Sequence, residues 1–204
     1  MALFDYIVES SFMHEGFLSS ANMKSQLTTV LMKIFNGKTD MANGKDIESA
    51  LKKVRGVSKV QYMFSIEGDK DGVTYYQHRY IVEDKKEILY QIDVWNKPMT
   101  LISRTTVIKM CDPSKTRIPK KICGDFIKEY LSLSKKGFVG HASISKNTMG
   151  IYMLLPEQGK QDSQLQGHLY GANASNILSI MDKMVKKYPN DLERKSNNEV
   201  SYIG

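Results

Sequence analysis

Residues 57–82 read VSKVQYMFSIEGDKDGVTYYQHRYIV. Val60, Tyr62, Phe64 and Ile66 alternate with Gln61, Met63 and Ser65, and a period of two fits a strand. The cluster Gly68-Asp69-Lys70-Asp71-Gly72 is turn chemistry, and residues 73–82 follow as a second strand. Glu83-Asp84-Lys85-Lys86 makes the next turn, and Ile88, Tyr90, Ile92 and Val94 mark a third strand. After Asn96-Lys97-Pro98, residues 99–110 give a fourth strand with Leu101, Val107 and Ile108. Strands joined by turns this short predict an antiparallel meander.

Upstream, over residues 1–56, the period is helical. Phe4, Ile7 and Val8 open a short amphipathic segment. Met23, Leu27, Val30, Leu31 and Ile34 then match one helix face, with Ser19 or Ser20 as cap and Gly37 as stop. Ile47, Ala50, Leu51 and Val54 line a second helix that ends at Gly56. These apolar stripes are complete and their charge is unremarkable, so the N-terminal helices are expected to supply packing or homo-oligomer contacts.

Downstream lies the segment from Arg104 to Lys136, where the chain concentrates its charge. It holds nine basic residues: Arg104, Lys109, Lys115, Arg117, Lys120, Lys121, Lys128, Lys135 and Lys136. Against them stand Asp112, Asp125 and Glu129, so nine minus three gives +6 of the total +7. A basic excess confined to one segment draws a polyanion to a place rather than to the whole surface. Within it, Pro119 starts a helix, on which Ile122, Cys123, Phe126, Ile127, Tyr130 and Leu131 form one apolar stripe over about 119–132. Lys121 and Lys128 share the opposite face.

The pattern then recurs in shortened form. Phe138–Ser145 and Met149–Leu155 read as strands, 156–166 as a polar loop, and Gly167–Ala172 as a further strand. Asn173 or Ser175 caps a last helix carrying Ile177, Ile180, Met181, Met184 and Val185. Residues 189–204 read as a polar, mobile tail, in which Val200, Tyr202 and Ile203 could dock. The whole predicts an α+β fold: N-terminal helices followed by two antiparallel strand meanders, each closed by a helix. Residues 57–188 would form the working domain.

The totals fit this reading. A chain of 204 residues with 41% hydrophobic content buries a core of one generous domain or two small ones. No stretch approaches the roughly 18 consecutive apolar residues of a membrane helix, and MALFDYIVESS lacks the basic start of a secretory signal. Cys111 and Cys123 are too few for a disulfide framework, and a metal site would need two more ligands nearby. Buried free thiols in a reducing cytoplasm are expected. His14, His78, His141 and His168 stand at no ligand spacing, and neither a phosphate loop nor a nucleophile elbow is present. No catalysis and no cofactor are expected.

Aromatic placement suggests what the basic segment serves. Between residues 60 and 95 lie seven of the chain's nineteen aromatics, and strands favour aromatics whatever they do. Tyr76, His78 and Tyr80 nonetheless share one strand face, with Arg79 on the other. Tyrosines on an open sheet face bordered by lysines suit single-stranded nucleic acid, whose bases stack on rings while the cations follow the phosphates.

In element order, residues 57–188 resemble the Whirly family of single-stranded nucleic-acid-binding proteins, with two strand meanders each closed by a helix. Lys135-Lys136-Gly137 echoes that family's lysine-glycine-lysine strand only faintly, so no individual residue is carried over. The abundance of Lys, Asn, Met and Tyr resembles large-bacteriophage proteins, among them the RNA-binding proteins of the nucleus-like compartment of jumbo phages. Ile7-Val8-Glu9-Ser10 resembles the cleaved tag of tailed-phage internal proteins. The resemblances imply binding of RNA or single-stranded DNA, RNA favoured, with low sequence specificity. The alternative is a virion or assembly protein whose basic segment docks an acidic partner.

Overall fold

A computed structural model describes residues 20–36, 44–70, 73–96, 104–135, 140–153 and 163–204. Helices α1 (Ser20–Asn36) and α2 (Gly44–Lys52) precede strands β1 (Val57–Lys70), β2 (Val73–Asp84), β3 (Leu89–Asn96) and β4 (Arg104–Cys111). These strands pair in the order β1-β2-β3-β4, the expected antiparallel meander. Helix α3 (Lys120–Ser134) follows, then β5 (Gly140–Ile144), β6 (Thr148–Met153), helix α4 (Ser163–Lys187), β7 (Leu192–Arg194) and β8 (Glu199–Tyr202). The fold is α+β, with two four-stranded antiparallel sheets.

The local reasons are short-range. Gly56 takes φ 91, a conformation that disfavours other residues, and so turns the chain out of α2 into β1. Between β2 and β3 the Asp84 carboxylate accepts from the Lys86 and Ile88 amides at 2.8 and 2.9 Å. That closes the turn and leaves Glu87 at φ 61. The β1–β2 register slips between Tyr62 and Phe64, so Tyr62 faces Tyr80 while Phe64 faces Arg79. The alternation read from Val60 to Ile66 therefore breaks at Met63, because a bulge opposes two residues to one.

Among the described side chains, both faces of the first sheet contribute to a core. On one, Val60, Tyr80, Val82, Tyr90, Ile92, Val94 and Val107 pack against Met23, Leu27 and Leu31 of α1 and Ile47 and Leu51 of α2. On the other, Met63, Ile81 and Met110 join a second core built on α3, α4 and the second sheet. Within that core lies a connected polar group. Arg79 Nε and Nη2 donate to Asp93 at 2.6 and 3.0 Å. Its Nη1 donates to Tyr130 Oη at 3.2 Å and Ser134 Oγ at 3.0 Å. Gln91 Nε2 donates to Asp93 Oδ2 and to the Gly140 carbonyl, both at 2.8 Å, tying β3 to β5.

The second half differs from the expectation in two places. Residues 163–172, expected as the end of a polar loop and a strand, lie inside α4, so Asn173 and Ser175 stand within the helix rather than cap it. Two glycines in six residues lower local helix propensity, but helix growth onto an existing turn is favourable where nucleation is not. The supposed tail, in turn, is folded: β8 pairs with β6 and β7, giving the order β5-β6-β8-β7. Leu192 and Val200 are buried in the core, and the Tyr202 amide donates to the Asn147 carbonyl at 2.7 Å. A strand of three or four residues leaves too short an alternation to stand out from polar sequence. No helix among the described residues is long and apolar enough to cross a membrane.

Candidate nucleic-acid interface

Helix α3 sorts its side chains by face as its spacing dictates. Ile122, Cys123, Phe126, Ile127, Tyr130 and Leu133 are buried. Lys121, Lys128 and Lys135 stand exposed on the far side, with Gly124 exposed between the first two. Seven residues are close to two helical turns, so the three cations form one row.

The acids of this segment are engaged, largely with other elements. Lys187 Nζ lies 2.6 Å from Asp125 Oδ2, and Lys183 Nζ lies 2.6 Å from Glu129 Oε1. The matching order is reversed along the two helices, so α3 and α4 run antiparallel. The Tyr188 hydroxyl also donates to Asp125. Lys187 and Tyr188 together hold the Asp125 carboxyl below its ordinary range. Around Asp112, burial opposes ionisation. The Ser114 hydroxyl at 2.7 Å and the Lys109 and Lys115 ammoniums outweigh it and keep the carboxyl below its ordinary range.

The consequence is a basic two-helix face. Lys121, Lys128 and Lys135 of α3 and its cap stand with Lys183, Lys186 and Lys187 of α4, opposed by Asp125, Glu129 and Asp182; six minus three leaves +3. Lys183, Lys186 and Lys187 also line an open groove of about 790 Å³ with Ser179. In the loop before α3 the Arg117 amide donates to the Lys146 carbonyl at 2.7 Å, which brings two exposed cations together. Lys120 turns away and pairs with Glu87 at 2.8 Å. Lys109 and Lys115 flank Asp112 at 3.7 and 3.9 Å.

No protein-family model, curated protein or solved structure matches the chain. The site therefore stands on its own geometry.

The expected aromatic platform is corrected. Tyr80 has no exposed surface, and His78 is 7% exposed. The reason is the pair α1 and α2, whose apolar stripes need a partner and take this sheet face. Burial pushes the Tyr80 hydroxyl up and the His78 imidazole down from their ordinary values. Arg79, expected to contact phosphate, is fully buried and forked onto Asp93. Tyr76 is in β2 opposite Glu67, and Arg104 is in β4 opposite Trp95. The side chains of both, and Lys136 altogether, lie outside the described residues. Four cations of the interface were missed: Lys146, Lys183, Lys186 and Lys187. For Lys183 and Lys187 the signal was the i, i+4 acid pair Asp125 and Glu129, which two cations one turn apart on a neighbouring helix can meet.

Proposed function

We propose that the chain binds nucleic acid by its phosphate backbone, without catalysis and with low sequence specificity, along the α3–α4 face and the loop before it. The observation that carries this is the placement of Asp125 and Glu129. Each is paired to a lysine of α4, so the row Lys121, Lys128 and Lys135 faces solvent with few acids beside it. Such a row attracts a polyanion and displaces the counterions condensed on it. The sequence-level case for base stacking rested on Tyr76, His78 and Tyr80. With Tyr80 and His78 buried and the Tyr76 side chain outside the described residues, the contact supported here is to the backbone, which RNA and DNA both offer.

The test compares the full chain with a Lys121→Ala, Lys128→Ala, Lys186→Ala variant on RNA, single-stranded DNA and duplex DNA across a salt series. Affinity should fall alike for unrelated sequences. The log–log salt slope should flatten by about 0.7 for each phosphate of a single strand that is no longer neutralised, and by about 0.9 for each on a duplex. Unchanged affinity and slope in the folded variant would remove this face from consideration. Binding to polyglutamate that competes fully with RNA would favour an acidic protein partner instead.

A further inference from the structure

We propose that Cys111 and Cys123 form a peroxide-reactive dithiol, Cys123 attacking and Cys111 resolving, whose product is an internal disulfide. Cys111 ends β4 and Cys123 lies in the first turns of α3, so the fold brings together sulfurs that the sequence separates by a basic loop. Both are free and buried, and both belong to the same core. Neither is sealed in the core. Both line one cavity of about 330 Å³, walled by Leu89, Ile118, Gly124 and Ile127. A methyl group built at Gly124 would meet nothing within 4 Å, so the wall there is open. Hydrogen peroxide is little larger than a water molecule, which occupies about 30 Å³ in the liquid, and it fits this space readily.

The two sulfurs are not equivalent. With both protonated, Cys123 Sγ donates to the Ile118 carbonyl at 3.6 Å. When the pair loses one proton, the charge settles on Cys123. The Cys111 S–H donates to it and outweighs burial, holding the Cys123 thiol below its ordinary value, and its own backbone amide assists. The near end of the α3 dipole favours an anion there as well. The same hydrogen bond, with burial, pushes the Cys111 thiol up. One sulfur is therefore the nucleophile and its neighbour keeps its proton until needed.

The chemistry balances. The Cys123 thiolate attacks one peroxide oxygen, the O–O bond breaks, and sulfenic acid forms as hydroxide leaves and is protonated to water. The Cys111 sulfur then attacks the sulfenic sulfur. An S–S bond forms, the S–O bond breaks, and the departing hydroxide takes the Cys111 proton as a second water. Two thiols and one peroxide give one disulfide and two waters. The new bond draws the sulfurs to about 2.05 Å and staples the segment that carries Lys115, Arg117, Lys120 and Lys121.

The experiment treats the full-length folded chain with hydrogen peroxide and maps peptides without reduction. The expected product is monomeric, lighter by two hydrogens, with Cys111 joined to Cys123. In Cys111→Ser the reaction should stop at a sulfenic acid on Cys123 that dimedone traps. In Cys123→Ser, dimedone labelling of Cys111 should be at least about tenfold slower. Prior binding of phenylarsine oxide, which bridges neighbouring thiols, should block oxidation of the wild type. Absence of the internal disulfide at doses that oxidise the urea-unfolded chain overturns the proposal, as does equal labelling of the two single variants. Should a variant fail to fold, the wild-type disulfide map and the arsenical block decide alone.

Discussion

Arg79 shows how a single residue misleads. An arginine between tyrosines on a strand reads as a phosphate contact, because charged residues are seldom fully buried. Here it has no exposed surface and sits in a fork with Asp93. The clue lay in β3, where Gln91 and Asp93 alternate on the face opposite Ile92 and Val94, and a strand with polar residues inward needs an inward cation. Removing one partner leaves the other charge buried, so Asp93→Asn should cost about 3–5 kcal/mol. Urea denaturation measures it, and a loss under about 1 kcal/mol would mean that water reaches Arg79. Replacing both partners with apolar residues of matching size should restore much of the loss. Gly124 predicts the opposite sign. It is exposed in mid-helix with open space around its missing Cβ, so Gly124→Ala should stabilise by about 0.5–1 kcal/mol. A drop in melting temperature would show that the open cavity wall matters to the fold itself.

At the level of elements, periodicity was informative wherever a segment was long enough to display it. The residues of α1, α2, β1 to β4 and α3 were readable for that reason, including the buried stripe Ile122–Tyr130. Failures fall on short or atypical pieces. The strands β7 and β8 have three and four residues, too few for a period to declare itself. The interface was half legible: the lysines of α3 and its cap recur every seven residues in one segment, whereas Lys183 and Lys187 join them only because α4 returns antiparallel. From the sheet order, β8 is interior to the second sheet and not an ornament on it. A chain lacking residues 189–204 would strip the partner strand from β6 and uncover Met149 and Ile151, both fully buried. Such a truncation should bind a hydrophobic dye and lose cooperative melting. A cooperative transition of unchanged midpoint would return this segment to the status of a tail.

For the molecule as a whole, protonation sets the conditions under which the two cores hold together. Burial lowers the imidazoles of His78 and His141 from their ordinary 6.5. The unfolded chain then binds those protons more readily than the folded one. Stability from this source is complete above about pH 6.5 and is lost as pH falls through the lower folded values. A second loss follows in stronger acid. The carboxyls of Asp112, Asp125 and Glu199 are all held below their ordinary range, for Glu199 first by the Tyr152 hydroxyl and then by Lys195. Their contribution is present above about pH 4 and disappears below it. The urea midpoint should therefore step down first between pH 7 and 5 and again below 4. A midpoint flat from pH 8 to 5 would show that both imidazoles can charge inside the fold. Composition supplied the net charge but not its distribution, since pairing with Asp93 removes Arg79 from the surface and α4 adds lysines to it.

The placement of β8 also sets a clock. Met149 on β6 pairs with Val200, about fifty residues later in the chain. At about 5–20 residues per second, a ribosome needs several seconds to make the strand that covers that edge. During this interval β5 and β6 form a hairpin with one bare flank and half a core. Slow codons between residues 154 and 199 would lengthen the exposure, and a chaperone that grips extended apolar strands would find its target there. Nascent chains stalled just past β6 should be captured more than those stalled once β8 has cleared the tunnel.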